Sequence, residues 1–178
     1  MNIVEILNEL KKTEELCSIY SDGNNTDKFS VGYVMDIDET YYVMESIDPY
    51  GKTDGLFCKI IENIVFIEKE TIYLEKIMKL NKFYKQQRYP KYELQKDPLL
   101  SLLKFAQKNS KVCSFELCES SKDNMVGIIN EITDEFIEIE CFNDYGKNDG
   151  TAIVELGKIS SVSCDSSDEK VIEILSKK

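Results

Sequence analysis

The sequence predicts a mainly β chain with helices (α+β), organised as two tandem five-stranded antiparallel barrels, each preceded by a helix. Three observations carry this expectation. The segment Pro49–Gly55, PYGKTDG, returns as Asp144–Gly150, DYGKNDG, in a chain that otherwise looks unrepetitive. Superposing the two segments aligns residues 31–67 with 126–162 without a gap, and self-similarity at a fixed spacing marks a repeated structural unit. Each copy opens on an apolar stripe at helical spacing and continues in short runs rich in β-branched and aromatic residues.

The elements follow in order. Ile3, Ile6, Leu7 and Leu10 fall at i, i+3, i+4 and i+7, as do Leu99, Leu102, Leu103 and Ala106, so a helix leads each unit. In the second copy five β-rich runs follow, Val112 to Leu117, Met125 to Ile132, Glu135 to Phe142, Thr151 to Leu156 and Ile159 to Cys164. Their counterparts in the first copy lie near Cys17, Val31, Tyr41, Phe57 and Ile64. The run through Phe136, Ile137, Glu138, Ile139 and Glu140 alternates, which suits a strand with one buried and one wetter face. Tyr73, Ile77, Leu80 and Tyr84 mark a further helix after the first copy, and Val171, Ile172 and Leu175 a shorter one after the second. The expected domains are 1–85, a basic linker 86–95, and 96–178.

Composition bounds the function classes. Hydrophobic content of 42% with 10 Tyr and 8 Phe supports real cores, and 8 Gly with 3 Pro argues against a low-complexity chain. No apolar run reaches membrane-spanning length, and the chain reads as cytoplasmic, neither exported nor embedded. Cys17, Cys58, Cys113, Cys118, Cys141 and Cys164 are expected as reduced structural thiols. They form no CxxC pair and the chain has no His, so no zinc pattern and no cofactor is indicated. The missing His also removes the commonest general base, and no motif identifies a nucleophile, so the expectation is a protein that is not an enzyme.

A leading helix, five short strands, a glycine early in the second strand (Gly32, Gly127) and a fifth strand reading I-x-x-I/V (Ile64 to Ile67, Ile159 to Val162) together resemble the Sm-like family of small SH3-like barrels, here in tandem. What the resemblance implies about fold covers most of the chain. Its implied RNA pocket does not carry over: Asp38 follows Gly32 at the family spacing, but Tyr42 stands at the Asn position, and Thr133 and Ile137 stand at the two positions in copy two. Glu62-Asn63 and Gly157-Lys158 replace the Arg-Gly pair, so the base-edge and phosphate contacts of such a pocket are missing.

The repeated loop is the first candidate binding element: Tyr50, Gly51, Lys52, Asp54 and Gly55, with Tyr145, Gly146, Lys147, Asp149 and Gly150. Two glycines and an Asp suit a tight turn. The Tyr and Lys are left open, either packing the loop onto its barrel or contacting a partner. The spacing fits neither a calcium loop nor a P-loop. Charge supplies a second candidate. The chain carries −11 overall, yet residues 76–96 hold seven basic side chains and one acidic, leaving 15 basic against 32 acidic elsewhere. Lys79, Lys82, Lys85 and Arg88, interleaved with Phe83, Tyr84, Tyr89 and Tyr92, are the nucleic-acid candidates. A step of three spreads these charges around a helix, which equally suits a solvated surface. The leading expectation is a protein-interaction or assembly module working through strand edges and the loops, its partner another protein or a further copy. RNA binding through the basic segment, or an acidic inhibitor of a basic toxin, are the alternatives.

Overall fold

The structure is a computed structural model that describes residues 2–21, 29–85, 88–89, 97–118 and 125–177. The first half runs α1 (Ile3–Thr13), β1 (Cys17–Tyr20), β2 (Phe29–Ile37), β3 (Tyr41–Ile47), β4 (Thr53–Ile60), β5 (Phe66–Lys69) and α2 (Ile72–Tyr84). The second repeats that order with α3 (Pro98–Lys108), β6 (Val112–Leu117), β7 (Met125–Ile132), β8 (Phe136–Phe142), β9 (Asn148–Glu155), β10 (Ile159–Cys164) and α4 (Ser167–Ser176). Most of the linker expected at 86–95 lies outside the described residues.

Local chemistry sets the helix boundaries. Asn2 and Glu5 form a reciprocal capping box at the start of α1, and Ser166 and Glu169 form one at the start of α4, each satisfying N–H groups that have no partner within the helix. Thr71 caps α2 and Asp97 caps α3, where Pro98 occupies the first turn without wasting a donor. Helices α1 and α2 stop where Glu14 and Lys85 enter the left-handed region.

All ten strands join one antiparallel sheet in the order β5-β1-β2-β3-β4-β10-β6-β7-β8-β9. The expectation of two separately closed barrels gives way here to one open α+β sheet. The physical reason is the edge of β4: its backbone groups are taken by β10 of the other half, with Lys59 opposite Ser161, Cys58 opposite Val162, Phe57 opposite Ser163 and Leu56 opposite Cys164. Within each half the order is the same, fifth-first-second-third-fourth. Two pairs of irregularities match too. The register slips between Val34 and Asp36 in β2 and between Ile129 and Glu131 in β7, and again between Glu45 and Ile47 and between Glu140 and Phe142.

The cores follow from this join. Leu7 and Leu10 of α1 pack with Ile19, Tyr42 and Met44 of the first half, while Leu74 and Ile77 of α2 pack with Val31 and Ile47. The largest cluster crosses the join: Leu99, Leu102, Leu103 and Ala106 of α3 bury against Val43, Leu56 and Cys58 of the first half as well as Ile129, Ile137 and Ile139 of the second. Burying each such aliphatic side chain is worth about 1.5–3 kcal/mol, so α3 fastens the two halves together.

Candidate functional site

The repeated loops connect β3 to β4 and β8 to β9, and their backbones match bond for bond. Gly51 N–H donates to Asp48 O at 2.9 Å and Gly146 N–H to Asn143 O at 2.9 Å. Asp48 Oδ1 accepts from the N–H groups of Tyr50 (2.9 Å) and Lys52 (2.8 Å), and Asn143 Oδ1 accepts from Tyr145 (3.0 Å) and Lys147 (3.1 Å). The residue that builds each turn is thus an Asp or Asn just ahead of the motif, which sequence reasoning missed. The signal was present as an Asx residue two positions before each Tyr, the spacing of an Asx turn.

Gly51 and Gly146 have φ of +83° and +69°. They also lie against the helix that ends their half: a Cβ at Gly51 would sit 2.4 Å from Leu80 Cβ on α2, and one at Gly146 would sit 2.6 Å from Leu175 Cβ on α4. In each half the following helix closes onto the loop, a contact that only a residue without Cβ allows. Asn81 Nδ2 adds a 3.0 Å bond to Gly51 O. Tyr50 and Tyr145 point outward, 72% and 77% exposed, and Lys52 and Lys147 are exposed as well, the Lys52 ammonium lying 5.5 Å from the Tyr84 ring centroid.

The second glycine of each motif separates the halves. Gly55 has φ of +80°, and a Cβ there would meet Cys164 O at 2.4 Å and Ser166 N at 2.6 Å. Asp54 Oδ1 accepts from Ser167 N and Ser167 Oγ, both at 2.8 Å. In the second half Gly150 has φ of +94° and nothing within 4 Å, while Asp149 is exposed. The same loop chemistry is engaged at the join and open at β9.

Among the described residues the sheet ends at β5 and β9. Along β9 Ile153 is 69% exposed, whereas Cys58, at the matching position of the covered strand β4, is 0% exposed. Phe136 beside β9, and Val65 and Ile72 flanking β5, are large exposed apolar side chains.

Lys79, Lys82 and Lys85 are exposed at the C-terminal part of α2. Arg88 is committed elsewhere. Its Nε donates to Glu45 Oε2 at 2.5 Å, and its guanidinium stacks 3.9 Å from the Tyr33 ring centroid. Next to it, the Tyr89 hydroxyl donates to Asp165, which also accepts from Lys111 Nζ at 2.8 Å. Two consecutive residues therefore tie β3 of the first half to the end of β10 in the second. Lys91 and Tyr92 lie outside the described residues. Burial pushes the Glu45 carboxyl above its ordinary range, against the opposing pull of Arg88. Burial also opposes ionisation of Asp165, but the Lys111 and Tyr89 donors hold its carboxyl below the usual value.

The positions that resemble an RNA pocket are occupied by turn and core duties. Asp38 Oδ1 accepts from Thr40 N and Tyr41 N at 2.7 Å, Thr133 Oγ1 accepts from Phe136 N at 3.0 Å, and Tyr42 and Ile137 are buried. Burial pushes the Cys17 thiol up to about 12 and raises Cys58 well above its ordinary value, so neither is a ready thiolate. Among the described residues no group of three or more metal-ligating side chains comes together, and no helix is long and apolar enough to cross a membrane. No protein-family model, no curated protein and no solved structure matches this chain.

Two predictions follow from the geometry. Gly51→Val and Gly146→Val should each lower stability by more than about 1 kcal/mol, through strain at positive φ and collision with the following helix; unchanged thermal melting of both would refute the helix-clamp account. For Glu45 the sign is set by its raised pKa: stability is fully present below the unfolded-state value and is lost as pH rises through the folded-state value, and Arg88 limits that loss. Arg88→Ala should therefore cost about 1–3 kcal/mol at pH 7 by stranding a buried carboxylate, and the deficit should narrow as pH falls toward 4.5, the ordinary Glu value. Adding Glu45→Gln should recover most of it. A deficit equal at both pH values would show that the ion pair is not its origin.

Proposed function

We propose that this chain is a non-enzymatic interaction and assembly module, two Sm-like units fused through one sheet, that works by accepting a further β-strand at an open edge. The order of elements supports the Sm-like reading: each half has a leading helix followed by five short antiparallel strands. Gly32 and Gly127 of the second strands sit where a Cβ would strike the carbonyl oxygens of Glu45 and Glu140, at 1.9 and 2.2 Å.

The observation that carries the function is the asymmetry of the two equivalent strands. Strand β4 has its outer edge covered by β10, while β9 presents the same edge with Ile153 exposed. An open strand edge displays unpaired N–H and C=O groups in register for another chain, and main-chain hydrogen bonds with alternate side-chain contacts are the physics of strand addition.

Affinity capture from an extract of the source cells, with the wild-type protein as bait, tests the reading. Bound protein, further copies of the chain included, should be lost with Ile153→Lys and kept when Lys79, Lys82 and Lys85 are reversed to Glu. Salt-sensitive retention of RNA, abolished by the lysine reversal and indifferent to Ile153→Lys, would overturn it in favour of nucleic-acid binding.

A further inference from the structure

We infer that the strand accepted by β9 is β5 of a second copy of this chain. The inference rests on the strand-edge reading above and names its partner. The internal join supplies the template. There, β10, the fifth strand of the second half, pairs with β4, the fourth strand of the first. The two free edges of the sheet are the fifth strand of the first half and the fourth strand of the second. They are the matching partners of the join that is already made.

Transferring the join by the spacing between Gly51 and Gly146 gives the register: Phe66 opposite Val154, Ile67 opposite Ile153, Glu68 opposite Ala152 and Lys69 opposite Thr151. Independent features of the free edges agree. The space beside Gly55 is filled by Cys164, Asp165 and Ser166. Beside Gly150 the corresponding residues would be Lys69, Glu70 and Thr71 of the second copy. Glu70 and Asp165 share the same left-handed backbone, φ of 58° and 63°, and Thr71 and Ser166 are both N-caps. Asp149 would then accept from the Ile72 N–H as Asp54 accepts from Ser167 N at 2.8 Å. Ile72, at the first position of α2, has an N–H with no partner inside the helix and a side chain 86% exposed.

The leading helices tell the same story. Leu99 and Leu102 of α3 are buried across the join against Leu56 and Cys58, whereas Ile3 and Ile6, at the matching positions of α1, are half-buried. The second copy's Thr151 and Ile153 are what would cover them. Because the joined surfaces differ, the contact is head-to-tail and repeats until a ring closes or a filament grows.

Sedimentation velocity of the purified protein over a range of concentrations tests the inference, with two variants whose three substitutions fall at exposed positions, so that folding is preserved and checked by thermal melting. Wild type should assemble beyond the dimer. Ile153→Lys should block the β9 edge. Val65→Lys with Ile72→Pro should block the β5 edge, since Pro is tolerated at the first position of a helix yet removes the N–H. Each variant alone should be monomeric, and an equal mixture should give a 1:1 dimer that grows no further, because each contributes one intact edge. Wild type that stays monomeric while Ile153→Lys still loses captured protein from extract would overturn the second-copy inference and leave the strand-edge function standing. Variants that assemble as wild type does would overturn both.

Discussion

The pairing of β4 with β10 is the constraint on which the rest of this molecule depends. Four residue pairs between strands far apart in sequence turn two similar half-sheets into one sheet of ten strands. Without it Leu56, Cys58, Val162 and Cys164 would lose cover together, and α3 would face a half-exposed core. Backbone pairing fixes where the halves sit, and the hydrophobic cluster beneath α3 makes that placement favourable. Arg88 and Tyr89 reinforce it by reaching Glu45 on one side and Asp165 on the other. Burial disfavours charge on Glu45, whereas Lys111 and Tyr89 favour it on Asp165, so Arg88 and Tyr89 are held by both halves.

The same join explains why equivalent residues differ in exposure. Cys58 and Ile153 occupy matching positions, as do Gly55 and Gly150, Asp54 and Asp149, and Leu102 and Ile6, yet in each pair the first is more covered than the second. Local sequence cannot account for this, because the loops share their hydrogen bonds and the strands share their bulges. The difference comes from what lies next door. The Asp-Gly pair of the join recurs at β9 without the cover it has at β4, and this is the physical basis for proposing that edge as a binding surface.

Much of this was legible in the sequence where one element decides its own structure. Three of the five strands of the second half begin and end at the residues where β-branched runs do, Val112–Leu117, Met125–Ile132 and Ile159–Cys164, because alternation and side-chain branching act locally. The helical stripes were equally plain. Strands β4 and β9 begin earlier than expected, at Thr53 and Asn148, since the Asp-Gly pairs that read as turn chemistry sit inside the ladder after a bulge. The positive φ of the motif glycines could be anticipated, but the close approach of Leu80 to Gly51 and of Leu175 to Gly146, each from a helix later in the chain, could not. The union of the halves into an open sheet, and the capture of Arg88 by a buried Glu45, are long-range events that leave no period in the chain.

Amide hydrogen exchange resolved along β4 and β9, measured at low and high protein concentration, addresses the central claim most directly. The account predicts that β4 and β10 are protected equally at both concentrations, because their pairing is internal, while β9 is poorly protected when dilute and gains protection when concentrated. Protection of β4 that rises and falls with concentration in step with β9 would contradict it, by showing that the two halves of the sheet are not joined within one chain.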